Sequence, residues 1–313
     1  MRSARLLSVV VPLLNEANGV AELYRRTTEP MAALPYELII VDDGSTDGTS
    51  DILADLAARD PRLKIVSLSR NFGHQAALTA GLEAATGDTI AMMDGDLQDP
   101  PELIPVMLDA WSGGSDVVYA VRTERAGESR FKLATARQFY RLMSKLSNVP
   151  LAENSGDFRL LDRAALDALL GMRERARYLR GMTAWIGFTQ TAVPYTRDAR
   201  YAGETKYPLR KMVRFALDAI VSFSHAPLQL ASIVGFWVAA LAFAAIPVAI
   251  GMRIAGQFVP GVTSVALAVL ILGGLQLMAL GVIGEYIGRI YDEVKRRPLY
   301  VVGKRINFDK DAA

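Results

Sequence analysis

Over the first 120 residues, short apolar runs alternate with amphipathic stretches. LLSVVV precedes AELYRRTTEPMAAL, ELIIV precedes DGTSDILADLAAR, LKIVSLS precedes HQAALTAGLEAA, and TIAMMD precedes PPELIPVMLDAW, before a fifth run, DVVYAV. The runs are too short for helices and suit buried strands, whereas the stretches between them carry helical periodicity. Strand and helix in repeated alternation predict an α/β fold with a mostly parallel, doubly wound sheet. Polar segments follow the strands at Pro12 to Glu16, Asp42 to Asp47, Ser69 to Gln75 and from Asp94 onward. In open sheets of this kind, ligands bind at the carboxyl edge that such loops form. The N-terminal MRSARLLSVVV has the look of a secretory leader, but its run is rich in valine, stops at Pro12 and leads into Asn15-Glu16, as a buried strand would.

The pattern changes downstream. From about residue 128 the chain reads as helical and basic, then returns through NSGDFRLLDR to an expected strand at Gln190 to Tyr195. The polar segment TRDARYAGETKYP is expected to fold back over the site. Residues 207–226 combine Arg210, Lys211 and Arg214 with Met212, Val213, Phe215, Leu217, Ile220, Val221 and Phe223, a composition suited to a helix at a membrane interface. Residues 228–252 and 262–284 contain no charged side chain. A span needs roughly 20 apolar residues to cross about 30 Å of hydrocarbon, so both are long enough. The short connection RIAGQFVPG makes them an antiparallel hairpin. Arg210, Lys211 and Arg214 precede the first span and Arg289, Lys295, Arg296 and Arg297 follow the second, against Arg253 alone between them. The positive-inside rule then puts both flanks in the cytoplasm. The expected organisation is a catalytic domain at 1–206, juxtamembrane amphipathic helices at 207–227, two transmembrane helices within 228–290 (about 228–252 and 262–286), and a cytoplasmic tail at 291–313.

Composition narrows the chemistry. A net charge of +2 and the lack of a basic arm or recognition motif argue against nucleic acid as a partner, and with no cysteine in 313 residues there is no disulfide framework. The sharpest chemical signal is TIAMMDGDLQDPPE, residues 89–102, where a strand ends on carboxylates two positions apart. Asp94 and Asp96 would offer hard oxygen ligands to a divalent cation. Two carboxylates do not complete an all-protein magnesium cage, so substrate phosphates are expected to fill the coordination sphere. The second acidic loop, VDDGSTDG, invites two roles: a carboxylate for a base or ribose hydroxyl, and a helix start with Gly44 as the turn residue and Ser45, Thr46 or Asp47 as the cap. No GxxxxGK[ST] or GxGxxG follows a strand, which argues against P-loop and dinucleotide enzymes.

The ordered set VVVPLLNE, IIVDDGSTDGT, LSRNFGHQAALTAGLEAATGD, MDGDLQDPPE, NSGDFRLLDR and RYAGETK resembles the family-2 glycosyltransferases of GT-A fold that use polyprenyl phosphate as acceptor. The similarity is closest to bactoprenol-phosphate glucosyltransferases, with dolichyl-phosphate mannose synthases more distant, and it extends over nearly the whole chain. The resemblance implies a nucleotide-donor pocket lined by Pro12, Leu13, Asn15, Glu16 and Asp43. It also implies a Mg²⁺ or Mn²⁺ site at Asp94, Asp96 and Gln98. Arg122, Arg130 and Lys132 match the basic positions for the acceptor phosphate, with the register between Arg130 and Lys132 open. Arg200 and Lys206 match residues that close over the donor diphosphate, and Asp157 and Asp96 are the catalytic candidates.

The implied reaction is inverting transfer of a hexose, glucose from UDP-glucose first, onto undecaprenyl or another polyprenyl phosphate in the bacterial inner membrane. A homotetramer is implied by the relatives alone. Different donors, a UDP-aminosugar or GDP-mannose, fit the same motifs, and a non-catalytic membrane-anchored nucleotide-sugar sensor or scaffold is the reading from outside enzymology. A processive polysaccharide synthase would want a Q-x-x-R-W motif, and none of Trp111, Trp185 and Trp237 follows an arginine. For Asp157, a phosphate monoester is mostly dianionic at neutral pH because its second pKa lies near 6, so a base has little to remove. Positioning a sugar hydroxyl or stabilising positive charge at the anomeric carbon is the alternative role.

Overall fold

The computed structural model describes residues 2–123, 155–196, 226–255 and 261–308. They fall into two compact units, one comprising Met1–Tyr207 with Pro298–Ala313 and the other Pro208–Arg297.

The first unit is built on an eight-stranded sheet of order β7-β5-β6-β4-β1-β2-β3-β8. Strands β1 (Leu7–Leu13), β2 (Tyr36–Asp42), β3 (Leu63–Leu68) and β4 (Thr89–Met92) follow the expected alternation, with helices α1 (Val20–Thr28), α2 (Thr49–Ala57) and α3 (His74–Ala84) between them. Every residue of β1, β2 and β4 is buried, as for strands covered on both faces by crossover helices. Their pairings, β1 with β2, β1 with β4 and β2 with β3, are all parallel. The chain winds outward from β1 to β3 and then crosses back to place β4 on the other side of β1. The crevice at the carboxyl ends of β1 and β4 is therefore the switch point where such folds bind ligands.

Beyond β4 comes α4 (Ile104–Ser112), then β5 (Val117–Arg122), β6 (Ser155–Asp162), α5 (Arg163–Gly171), α6 (Leu179–Trp185) and β7 (Gln190–Tyr195). The expected strand at Gln190 to Tyr195 is β7, parallel to β5. Along the sequence the DFRLL segment reads only as a return path. It is the central strand β6, antiparallel to both β4 and β5. Its burial is continuous from Ser155 to Leu161, so it lacks the period-two alternation that marks a half-exposed strand.

A second correction concerns the C-terminus. Residues 291–313 were expected to form a tail, but Val302–Ile306 is strand β8, antiparallel to the edge strand β3. Asn307, in the left-handed region at φ 62°, follows it. Its amide donates to the carbonyls of Ala57 (2.7 Å), Leu63 (2.8 Å) and Asp60 (3.3 Å). The strand thus covers an edge that would otherwise expose unpaired backbone groups.

The second unit contains α7 (Ala226–Ile254) and α8 (Val262–Val294). Both include windows long and apolar enough to cross a membrane. Their large side chains are exposed in this unit, Phe236 at 69% and Leu277 at 71%. α8 continues past the expected end near 286, and its last turns carry Glu285, Arg289, Asp292 and Glu293. The juxtamembrane helix expected at 207–227 lies outside the described residues, apart from the first turn of α7.

Candidate active site

The loops at the carboxyl edge are held to one another by side-chain to backbone hydrogen bonds. After β1, Asn15 adopts φ 56°. Its side-chain oxygen accepts the Thr46 N–H at 2.8 Å, and its own N–H donates to Ser45 Oγ at 3.0 Å. The Glu16 and Ala17 N–H groups donate to Thr49 Oγ1 and Asp47 Oδ2. Pro12 and Leu13, at the end of β1, pair with Val41 and Asp42. The structure thus brings Pro12, Leu13, Asn15, Glu16 and Asp43 to one end of the sheet. Gly44 is the turn residue: its φ is +75°, and a Cβ there would lie 2.6 Å from the carbonyl carbon of Arg70. The helix cap differs from expectation. Gly48, at φ 93°, occupies the N-cap of α2, and Asp47 Oδ1 accepts the Thr49 N–H.

Asp43 is buried, and its two oxygens accept the N–H groups of Phe72 (2.7 Å) and Gly73 (3.0 Å). This contact sets the start of α3 and so the position of His74. The His74 Nε2 lies 3.3 Å from Asp94 Oδ1 and 3.5 Å from Asp157 Oδ2. One ligating atom from each of these three residues lies within 4.8 Å of the others, a set that could hold a metal ion.

Three residues, His74, Gln75 and Arg180, converge on Asp157, which enters from β6. Arg180 of α6 places Nη2 and Nε at 3.2 and 3.3 Å from Oδ1, and Gln75 Nε2 donates to Oδ2 at 3.2 Å. Gln75 Oε1 in turn accepts the Leu179 N–H, and the buried Arg159 donates to the Arg180 carbonyl. Burial alone would raise the Asp157 pKa. The hydrogen bond with His74 and the charges of Arg180, His74 and Arg159 outweigh it, and the carboxyl is held well below the usual range. Asp94 has the opposite balance. Burial, only partly offset by His74 and reinforced by the charges of Asp157, Asp99 and Asp96, pushes its pKa up to about 6. For His74, burial favours the neutral form, but its bond to Asp157 and the charges of Asp94 and Asp157 raise its pKa overall.

Asp94 Oδ1 is shielded from solvent and, among the described residues, receives no hydrogen bond. A carboxylate costly to ionise, with an oxygen lacking a donor beside a second carboxylate, suits a divalent cation. Asp96 Oδ1 accepts the Gln98 N–H at 3.1 Å, so these two residues share one turn. Leu97 between them is buried at φ 58°, a conformation that its packing must hold. The geometry thus groups Asp94 with His74 and Asp157, whereas sequence reading grouped it with Asp96 and Gln98.

Arg122, at the end of β5, donates from Nε to the Tyr195 hydroxyl at 3.0 Å, and that hydroxyl donates to the fully buried Asp99. Arg130, Lys132, Arg200 and Lys206 lie outside the described residues. His74, Gln75, Arg180 and Tyr195 are not singled out as site residues by the sequence, and Asp99 stands out only as a member of the acidic cluster that opens at Asp94. His74 had a usable signal, as one of two histidines in the chain and placed at the start of α3, after the loop that follows β3 at the ligand edge.

Comparison with known proteins agrees with this architecture. Residues 8–170 match the family model of glycosyl transferase family 2. The chain is 41% identical over 303 residues to the prophage bactoprenol glucosyl transferase homolog of Escherichia coli K12, covering 96% of this chain and 99% of that protein. It is 40% identical over 301 residues to the bactoprenol glucosyl transferase of Shigella phage SfII, covering 95% and 97%. An uncharacterized glycosyltransferase of Bacillus subtilis is 47% identical over 300 residues, covering 95% and 93%. Among solved structures, a mycobacterial protein aligns with a TM-score of 0.50 at 23% identity over 70% of this chain and 75% of that one, a likeness of fold. With this match, the mixed, mostly parallel sheet and the acidic centre at its switch point, the chain belongs to glycosyl transferase family 2 and is a glycosyltransferase of GT-A fold.

Proposed function

We propose that this protein is a membrane-bound inverting glycosyltransferase that moves a hexose, glucose from UDP-glucose, onto undecaprenyl or a similar polyprenyl phosphate. The observation that carries this reading is the match to bactoprenol glucosyl transferases along nearly the whole chain, including the two long apolar helices. In this reading α7 and α8 cross the bacterial inner membrane, and the catalytic unit faces the cytoplasm, where nucleotide sugars are made. The charge pattern around the helices supports that orientation.

A nonbridging oxygen of the lipid phosphate forms a bond to the anomeric carbon from one face. The bond from that carbon to the nucleoside diphosphate breaks on the other, and its electron pair leaves with the diphosphate. Asp94, with Asp96 and with His74 or Asp157 beside it, would hold Mg²⁺ or Mn²⁺. A divalent ion supplies neutralisation of the charge that builds on the leaving diphosphate. Imidazole in the set favours Mn²⁺ over Mg²⁺. Pro12, Leu13, Asn15, Glu16 and Asp43 form the nucleoside end, Arg200 and Lys206 close over the diphosphate, and Arg122, Arg130 and Lys132 receive the acceptor phosphate. Asp157 acts as a fixed negative charge. The lipid phosphate needs almost no deprotonation at neutral pH, and a carboxylate held well below its usual pKa is a poor proton acceptor. Its charge instead favours the positive character that grows at the anomeric carbon.

The test is transfer of radiolabelled sugar to undecaprenyl phosphate in detergent, across UDP- and GDP-sugars, with Mg²⁺, Mn²⁺ or EDTA, alongside Asp96→Asn. A metal-dependent, mild-acid-labile lipid product from UDP-glucose is expected. A product from another donor alone would replace the sugar assignment, and nucleotide binding without turnover of any donor would overturn the acceptor.

A further inference from the structure

The acceptor-side arginine and the acidic loop on the donor side are joined through one tyrosine. Asp99 lies three residues beyond Asp96 in the loop after β4, Arg122 ends β5 and Tyr195 ends β7. Asp99 is fully buried and Tyr195 is 6% exposed. The Tyr195 hydroxyl donates to Asp99 Oδ1 and accepts from Arg122 Nε at 3.0 Å, while Arg122 Nη2 stands 3.8 Å from the same carboxylate oxygen. A phenol has one proton to give and lone pairs to receive with, so it can serve both neighbours at once. Burial and the charge of Asp99 push the Tyr195 pKa up to about 12, which keeps that proton in place.

The surroundings hold the tyrosine in this position. The backbone carbonyl of Tyr195 accepts both the N–H and the hydroxyl of Thr123, each at 3.0 Å, which ties the end of β7 to the residue after Arg122. Phe158 of β6 meets the tyrosine ring edge-on, with centroids 6.4 Å apart. Gly156 leaves room for the guanidinium, since a Cβ there would lie 3.1 Å from Arg122 Nη2. With Nε committed to Tyr195 and Nη2 beside Asp99, Nη1 makes no hydrogen bond among the described residues. An arginine fork delivers paired hydrogen bonds to a phosphate only when its plane is fixed.

We propose that Tyr195 and Asp99 are positioning residues for the acceptor phosphate: they fix the plane of Arg122 and tie it to the loop that carries Asp94 and Asp96. This inference rests on the reading of Arg122 as an acceptor-phosphate residue. Through Asp99, one rigid link joins the two halves of the site. Loss of the link lets the guanidinium rotate, so the lipid phosphate is received in poorer geometry while the nucleotide end is untouched.

The experiment is steady-state kinetics of the full-length protein in detergent with undecaprenyl phosphate and UDP-glucose. It compares Tyr195→Phe, Asp99→Asn, Arg122→Gln and the Tyr195→Phe/Arg122→Gln pair, with nucleotide binding measured on each as the check of folding. Tyr195→Phe is expected to raise KM for the lipid phosphate about tenfold, as for loss of one hydrogen bond to a charged group, and to leave KM for UDP-glucose unchanged. Asp99→Asn keeps an acceptor for the tyrosine and is expected to give a smaller rise in the same KM. It carries the test if the phenylalanine variant does not bind nucleotide. In the pair, Tyr195→Phe should add nothing to the effect of Arg122→Gln, because the tyrosine acts through the arginine. Independent, multiplying effects would overturn the link, as would a lipid-phosphate KM raised by Arg122→Gln but unmoved by Tyr195→Phe and Asp99→Asn. An unchanged KM in Arg122→Gln would remove the acceptor reading itself, and the link with it.

Discussion

Arg180 reaches from helix α6 to strand β6 and holds one oxygen of Asp157 with two nitrogens, at 3.2 and 3.3 Å. Gln75 and His74 approach the other oxygen from α3. Asp157 is therefore pinned from two sides as an ion, a state suited to electrostatic stabilisation and unsuited to taking up a proton. Arg180→Gln removes a charge-assisted contact worth about 1.5–3 kcal/mol, so kcat is expected to fall roughly 10- to 100-fold with little change in nucleotide affinity. Single-turnover transfer assays would measure this. An unaltered chemical step in Arg180→Gln would mean that the clamp does not serve the reaction.

Asp94 and His74 lead to a prediction about metal. Chelation with EDTA should abolish transfer, and Asp94→Asn should weaken Mn²⁺ binding in the presence of UDP by at least about tenfold, as for loss of a charged ligand. Titration of Mn²⁺ followed by electron paramagnetic resonance reads this without turnover. Including His74→Ala distinguishes an imidazole ligand from a neighbour that only balances charge. A ligand role requires weaker Mn²⁺ binding, whereas a charge-balancing role predicts binding that is equal or tighter.

A buried carboxylate in the sheet leads to a pH prediction. Glu37 of β2 accepts from Ser8 Oγ, from the N–H and hydroxyl of Thr86, and from Lys64 Nζ at 2.6 Å. Burial acts to raise its pKa, but these donors outweigh it and lower the value overall. The folded chain thus stays ionised where the unfolded chain, with an ordinary glutamate pKa of about 4.3, takes up a proton. This stabilisation is complete above that pH and is lost as pH falls through the lower folded value. Glu37→Gln should lower stability at neutral pH by about 1–3 kcal/mol and flatten the decline in melting temperature below about pH 4.3. Equal acid sensitivity in the two proteins would refute it.

Strand β8 makes the residues after α8 part of the catalytic unit. Asn307→Ala removes the amide shared by three carbonyls and should cost about 1–3 kcal/mol. Amide hydrogen exchange should quicken along β3, whose residues Ile65 to Leu68 pair with β8, and remain slow in β1. Uniform exchange across both strands would show that β8 is not a separate clasp.

The absence of cysteine makes topology directly measurable. A single cysteine introduced as Gln257→Cys, between the apolar helices, should react in intact cells with a membrane-impermeant maleimide. Arg305→Cys should react only after permeabilisation. The reverse pattern would invert the orientation, and labelling of both sites in intact cells would argue against a membrane hairpin.

Much of this was legible along the chain, and the reason is local. Strands β1 to β5 and β7, the ligand edge and the two apolar helices each announce themselves within a window of neighbouring residues, through periodicity, turn chemistry or uninterrupted hydrophobicity. Asp94, Asp96 and Asp43 stood out because a carboxylate at the end of an apolar strand is conspicuous in one dimension. The direction of β6, the recruitment of Val302–Ile306 to the edge of the sheet, and the meeting of His74, Asp94, Asp157 and Arg180 were not legible. Gln75 and Asp157 are 82 positions apart, and Tyr195 and Asp99 are 96 apart. Nothing in the composition of either neighbourhood specifies the other, because the partner arrives only when the sheet closes. The strands, the acidic loops and the membrane-length helices follow from short-range chemistry written in consecutive residues. Which carboxylate is held firmly as an ion, which is made harder to ionise, and which arginine is fixed in plane depend on burial and on charges delivered from distant strands, and only the folded sheet supplies those.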